Sequence, residues 1–207
     1  AMTIVDVKTG QIKAMVGGRK TEGRSLFNRA DSPRQPGSSI KPIGVYAPAL
    51  QMSADEAKAG KKHTFKDYNI DKQGTQYWGD YITSASVIVD EPTKLNGRIW
   101  PKNFEGGYMG PLDLKSALGY SRNTTSIKTF LQVGTEYCMS MLKKFGISTL
   151  QTDGNVNDAN PSAIALGGMA KGISPLELSN AYTAFANGGK VYKPVSYTKV
   201  KDRKGKV

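Results

Sequence analysis

The chain has 207 residues and a net charge of +12, from 29 Lys and Arg against 17 Asp and Glu. Hydrophobic residues at 38% and charged residues at 22% are the proportions of an ordinary globular domain, and no apolar run approaches the roughly 18 residues of a bilayer-spanning helix. One Cys and one His exclude an internal disulfide and a Cys/His zinc cage, so neither metal nor cofactor is expected. The positive excess suits anionic surroundings. The basic residues are scattered from Lys8 to Lys206 and concentrate only in KVKDRKGKV. They are not interleaved with stacking aromatics, so no nucleic-acid partner is expected.

Residues 2–6, MTIVD, and 11–17, QIKAMVG, alternate in polarity around VKTG and predict a β-hairpin with Gly10 in its turn. Residues 17–37 are rich in Gly, Arg, Asn, Ser and Pro and read as a loop, which IKPIGVYAPALQM converts into an apolar helix. Most of residues 52–111 read as connections between short elements, with His63 as a solvated loop residue. Three short helices are predicted in 112–121, 123–134 and 135–146, the last burying Tyr137, Met141, Leu142 and Phe145, with Cys138 on its buried side. SPLELSNAYTAFANGG (174–189) carries a helix start in Ser174, Pro175 and Glu177 and ends in two glycines. Beyond it, KVYKPVSYTKV reads as an edge strand leading into a turn at DRKGK.

RQPGSSIKPIG (34–44) places a serine three residues before a lysine where loop becomes helix. Residues three apart share a helix face, so Ser38 and Lys41 can approach one another, whereas Ser39 points elsewhere. A neutral lysine can take a serine's proton where no histidine serves, provided burial or a nearby cation lowers its pKa. An unpaired N–H at Ser38 could also serve an oxyanion hole. On spacing alone Ser38 reads rather as a helix-capping serine. The same S-x-x-K spacing recurs at Ser140 with Lys143, within a helix, and at Ser196 with Lys199, in the predicted strand where such residues face opposite ways.

The company of the first motif is informative. FNRADSPRQPGSSIKPIGVYAPAL resembles the start of the transpeptidase domain of class A penicillin-binding proteins, whose first motif is S-x-x-K. The second family motif, S-x-N, matches SRN at Ser121 to Asn123, inside GGYMGPLDLKSALGYSRNTTSIK. VDVKTGQIKAMVGG, VDEPTKLNG and PSAIALGGMAKGISPLELSNAYTAFANGGKVYKP extend the resemblance over almost the whole chain, residues 52–84 excepted. The third family motif, Lys-Thr/Ser-Gly, follows the second in chain order. The only KTG here, Lys8 to Gly10, precedes both and is a decoy.

The resemblance implies an α/β (α+β) fold of the β-lactamase/transpeptidase type, here incomplete: a hairpin and a mostly helical lobe without the C-terminal strands. Residues 1–50 and 190–207 would lie on the sheet side and 51–189 in the helical lobe. The remaining strands and the third motif would come from a separate chain, or the fragment would be inactive. The implied activity is serine-type D,D-transpeptidation: crosslinking of D-Ala-D-Ala stem peptides of peptidoglycan through an acyl-serine, with β-lactams as covalent inhibitors. Ser38 would be nucleophile, Lys41 its base and Ser121 a proton relay, while Asn123 would hold the substrate backbone together with Ser38. Apart from the first motif, Ser121 and Asn123 read as a capping pair between helices. The alternatives are a D,D-carboxypeptidase or β-lactamase of the same superfamily, and a non-catalytic binding module. The expected location is the extracytoplasmic face of the bacterial cell membrane, with anchor and glycosyltransferase domain elsewhere.

Overall fold

The structure, a computed structural model, describes residues 1–19, 22–23, 26–65, 79–95 and 97–207. Residues 66–78, where part of the expected connecting region falls, lie outside these. The chain forms two compact units.

The first unit comprises Ala1–Gln35, Lys143–Leu150 and Lys171–Val207. Strands β1 (Met2–Val5) and β2 (Ile12–Val16) form the expected antiparallel hairpin, Met2 opposite Val16 and Ile4 opposite Ala14. The Asp6 carboxylate accepts from Lys8 N, Thr9 N and Thr9 Oγ1 and so folds the turn; the hydroxyl of the KTG sequence is therefore committed to Asp6. Gly10 closes it at φ +74°, where a Cβ would lie 2.7 Å from the Lys193 carbonyl oxygen. Helix α6 (Pro175–Tyr182), the last in the chain, packs on β1 through Thr3 Oγ1, 2.6 Å from Ser179 Oγ. Its capping box is the one the sequence predicts: Glu177 N donates to Ser174 Oγ and Ser174 N to the Glu177 carboxylate. The helix then tightens into a 3₁₀ turn, Thr183–Ala186.

The edge strand predicted over 190–200 does not form. A single parallel bridge, Gln11 to Val195, stands in its place. Pro194 has no N–H to give a ladder, and Tyr197 and Val200 are more than 60% exposed, so no packing offsets the cost of ordering. The turn at Asp202 to Lys206 is present, held by the Asp202 carboxylate.

The second unit comprises Pro36–Leu142 and Gln151–Ala170. Its entry helix is composite: a 3₁₀ turn (Gly37–Ile40), a π turn (Pro42–Tyr46), then α1 (Ala47–Lys58). Pro42 and Pro48 each remove a backbone donor; Lys41 N donates to Ser38 O and Ala47 N reaches back five residues to Pro42 O. The helix thus begins as predicted and runs six residues beyond Met52. His63, expected in solvent, is buried, its Nδ1 2.9 Å from a Glu56 carboxylate oxygen and its ring edge-on to Phe65. Apolar contact and a hydrogen-bonding partner seven residues back outweigh the polarity of its sequence neighbours.

Strand β3 (Val87–Asp90) pairs antiparallel with β6 (Gly110–Asp113), and β4 (Lys94–Leu95) with β5 (Arg98–Ile99). Three helices follow where the sequence puts them: α2 (Leu114–Gly119), α3 (Asn123–Val133) and α4 (Thr135–Lys144). In α4 Cys138, Met139 and Leu142 are buried, with Phe145 just after it, whereas Tyr137 and Met141 are only half-buried. Helix α5 (Pro161–Leu166) is capped by Asn160, whose side chain accepts from Ala163 N, and ends at Gly167 in the left-handed region.

Helix α3 is the buried centre of this unit, nine of its eleven residues being buried. Many of those are polar, and each of four finds an acceptor. Thr125 and Thr129 donate to backbone carbonyls of their own turn, Ser126 to Ala165 O of α5, and Lys128 to Val89 O and Glu91. Satisfied in this way, a polar helix can be buried without the cost of unpaired groups. Ile127 of this helix joins Ile40, Ile43, Val45, Ile88, Leu114, Leu142 and Ile164 in the buried core of the unit, each burial contributing roughly 1.5–3 kcal/mol.

Candidate active site

Lys41, the last residue before the π turn, is completely inaccessible. Its Nζ donates to Ser121 O at 2.6 Å, Ser121 Oγ at 3.1 Å and Asn123 Oδ1 at 2.7 Å. Residues 80 apart in sequence thus converge, and the two expected motifs share one cluster. Ser38 and Ser121 are exposed while the lysine between their segments is not. Burial first, and the nearby Arg122 guanidinium second, lower the Lys41 pKa from its ordinary 10.5 to about 8. Lys143 and Lys199 of the other two S-x-x-K spacings are exposed, which separates them from the first.

Ser38 lies in the 3₁₀ turn, three residues before Lys41, where three residues per turn bring positions i and i+3 onto one edge. It is not among the hydrogen-bond partners of Lys41 Nζ, so the cluster assembles Lys41, Ser121 and Asn123, with Ser38 one turn away. Among the described residues its hydroxyl has no hydrogen-bond partner. Ser39 differs: its Oγ donates to Pro36 O at 2.6 Å and is committed to the backbone. The entry to the turn is close-packed. Gly37 (φ +56°) faces Gly167 (φ +78°), where a Cβ would sit 2.2 Å from the Gly37 carbonyl oxygen. Gly167→Ala is therefore expected to destabilise the chain by about 1–3 kcal/mol, read as a lowered denaturant midpoint, by straining both its own backbone and the Gly37 peptide.

Ser121 has φ +53°, the only positive value among the described non-glycine residues. Its N–H donates to Leu118 O and that of Arg122 to Ala117 O, a Schellman end to α2 with serine where glycine is usual. A left-handed non-glycine residue costs roughly 1–2 kcal/mol. Here that conformation aims both oxygens of Ser121 at Lys41. Asn123 opens α3; its Oδ1 receives the lysine and its Nδ2 donates to Lys102 O, leaving one N–H and one lone pair for another molecule.

Sequence reasoning missed the groups behind these residues. Asp90, at the end of β3, is 1% exposed and its carboxylate accepts from Asn103 Nδ2, Met109 N, Arg122 Nε and Thr124 Oγ1. Asn103 Oδ1 in turn accepts from Asn123 N at 2.8 Å and Thr124 N at 3.4 Å, so that α3 is capped by another segment. A buried Asp beside VDEP and an Asn in WPKN carry no spacing that announces contact with residues some 20–30 positions on.

An exposed hydroxyl, a buried amine of lowered basicity, and a second hydroxyl and amide on that amine are the components of acyl transfer through serine. The family model described as the penicillin binding protein transpeptidase domain matches residues 1–98 and 86–207. The chain belongs to the penicillin-binding protein transpeptidase family. It is 36% identical over 210 residues to penicillin-binding protein 1A of Clostridium acetobutylicum, covering all of this chain and 23% of that one. Among solved structures, penicillin-binding protein 1A of Haemophilus influenzae superposes with a TM-score of 0.70 at 30% identity, over 99% of this chain and 26% of that one. PonA1 of Mycobacterium tuberculosis in complex with penicillin V gives 0.72 at 22% identity, over 99% and 47%. The fold is therefore that of these transpeptidase domains, and the chain spans about a quarter of the length of the curated relatives it matches. No helix among the described residues is long and apolar enough to cross a membrane.

Proposed function

We propose that this chain carries the serine, lysine and S-x-N groups of a peptidoglycan D,D-transpeptidase, with Ser38 as nucleophile and Lys41 as its base. The observation that supports this best is the buried Lys41 held against Ser121 and Asn123 one turn from an unengaged Ser38 hydroxyl. An ammonium has three N–H donors, and all three are used here. Loss of one proton frees a lone pair to which the Ser38 hydroxyl can donate.

On this reading Ser38 Oγ attacks the carbonyl carbon between the two D-alanines of a stem peptide while Lys41 accepts its proton. The tetrahedral intermediate collapses by breaking the C–N bond, and the proton passes from Lys41 through Ser121 Oγ to the departing D-alanine amine. The Asn123 amide, with its free N–H and lone pair, pairs with the substrate backbone. An amine of a second stem attacks the acyl-Ser38, forms the new amide and returns the proton, leaving the Ser38 hydroxyl as it began. A β-lactam undergoes the same attack, but its ring nitrogen stays tethered after the C–N bond breaks and blocks the second step. The exposed apolar residues of the hairpin, Met2, Ile4, Met15 and Val16, are on this reading covered by further strands of the same domain, carried outside these residues, with the domain facing the outside of the cytoplasmic membrane.

At pH 7 a pKa of about 8 leaves roughly a tenth of Lys41 neutral, against about one part in three thousand at its ordinary value. Protonated lysine cannot act as base, so the rate of β-lactam acylation should climb about tenfold from pH 7 and level off above pH 8–9. A rate flat from pH 6 to 9 would exclude Lys41 as the titrating base. Incubation with a D-Ala-D-Ala peptide and an added D-amino acid separates the reaction types: exchange into the peptide is expected, and release of free acid alone would indicate a carboxypeptidase.

A further inference from the structure

We propose that the buried Asp90–Arg122 pair is the positioning device of this site, fixing the Ser121–Asn123 turn and setting the charge balance around Lys41; the inference rests on the transpeptidase reading above. Neither residue is a partner of Lys41 Nζ, yet together they hold every residue that is. Arg122 lies between Ser121 and Asn123, is 5% exposed, and is pinned at both ends, by Nε to Asp90 Oδ2 at 2.7 Å and by Nη2 to Gly107 O at 2.7 Å. Asp90 Oδ1 holds Thr124 Oγ1 and, at 2.8 Å, Asn103 Nδ2, and Asn103 carries the Asn123 N–H. The strained Ser121 backbone is thus clamped from the residue after it, and Asn123 from both its amide N–H and the residue after it.

The pair also has an electrostatic consequence. Burial alone would raise the Asp90 carboxyl, but the hydrogen bonds from Thr124, Asn103, Met109 and Arg122 outweigh it and hold the acid ionised. Arg122 is the cation that acts on Lys41, and Asp90 offsets part of its charge. The other ionisable groups on the elements packed around the site are Lys128 of α3, paired with Glu91 beyond β3; Asp113, Lys115 and Tyr120 at the two ends of α2; Lys102, Glu105 and Tyr108 in the segment that carries Asn103 and Gly107; and Asp55, Glu56 and Lys58 at the far end of α1. Tyr46, pushed up to about 12 chiefly by burial, is neutral at working pH, and α5 carries no ionisable side chain. Two substitutions at the pair should therefore move the lysine in opposite directions. Removing the Asp90 charge leaves Arg122 uncompensated and favours neutral Lys41. Removing the Arg122 charge leaves Asp90 and favours the ammonium.

The test measures second-order acylation by a fluorescent penicillin from pH 5.5 to 9.5, with thermal unfolding alongside, for the full-length protein, Asp90→Asn, Arg122→Gln and Arg122→Lys. Both charge-removing variants should acylate on the order of 10- to 100-fold more slowly at their plateau, because the cluster is no longer held in register. The midpoint of the pH profile should fall by about one unit in Asp90→Asn and rise by about one in Arg122→Gln, while Arg122→Lys keeps the wild-type midpoint. Unmoved midpoints in both charge-removing variants, whatever their rates and melting temperatures, would reduce the pair to a structural role and overturn the inference. Should Asp90→Asn not fold, the rise in Arg122→Gln decides alone, and an unchanged or lowered midpoint overturns it. Wild-type protein that takes up no label sinks the transpeptidase reading itself, a result distinct from the others.

Discussion

Ser38→Ala is expected to abolish covalent labelling by penicillin altogether while leaving the fold intact. The hydroxyl is exposed and has no hydrogen-bond partner among the described residues, so its removal opens no cavity and orphans no buried group. Thermal unfolding should stay within about 0.5 kcal/mol of wild type. Ser39→Ala is the informative control. It deletes a hydroxyl that donates to Pro36 O, at a cost to stability of about 1 kcal/mol, and should retain acylation. A harmless Ser38→Ala beside a dead Ser39→Ala would place the nucleophile one residue later.

Lys41→Ala should slow acylation by a factor on the order of 10² to 10⁴, the ordinary contribution of a positioned base, and should destabilise the chain as well. Without the lysine, Ser121 O, Ser121 Oγ and Asn123 Oδ1 lose their common donor beside a void the size of three methylenes and an amine. Losing hydrogen bonds from a charged donor costs about 1–3 kcal/mol. Lys41→Arg distinguishes the two effects. A guanidinium can still donate to those oxygens but cannot lose a proton at any working pH, so stability should recover in part while acylation stays low. Rapid acylation by Lys41→Arg would assign the proton transfer to another group.

Local chemistry made much of this legible. The hairpin follows from alternation around VKTG, and α6 from Ser174, Pro175 and Glu177, because turns and caps are decided by neighbours within a few positions. Ser38 with Lys41 and Ser121 with Asn123 were likewise visible as short motifs. That the two motifs meet, with Lys41 donating to Ser121 rather than to Ser38, is a property of packing across some 80 residues. Asp90 and Asn103 were invisible for the same reason: their roles exist only once β3 and the segment after β5 are laid against the start of α3. Helix α5 was readable in N-P-S-A-I-A-L-G-G, with cap, N1 proline and closing glycine in order, yet only six residues of helix separate them and no period emerges. The tail failed in the opposite sense. Its alternating pattern suits a strand, but a strand needs a neighbour along its length, and residues 190–200 find one bridge.

The claim beneath these expectations is that the Ser38 oxygen becomes acylated. Trypsin leaves Lys41 uncut because Pro42 follows it, so digestion after penicillin treatment yields one peptide, residues 35–58, containing Ser38, Ser39 and Ser53. Fragmentation of that peptide by tandem mass spectrometry locates the added mass. The added mass is expected on Ser38; an adduct on Ser39, one on Ser121 in the separate peptide 116–122, or a 35–58 peptide of unaltered mass after full exposure, would contradict the assignment.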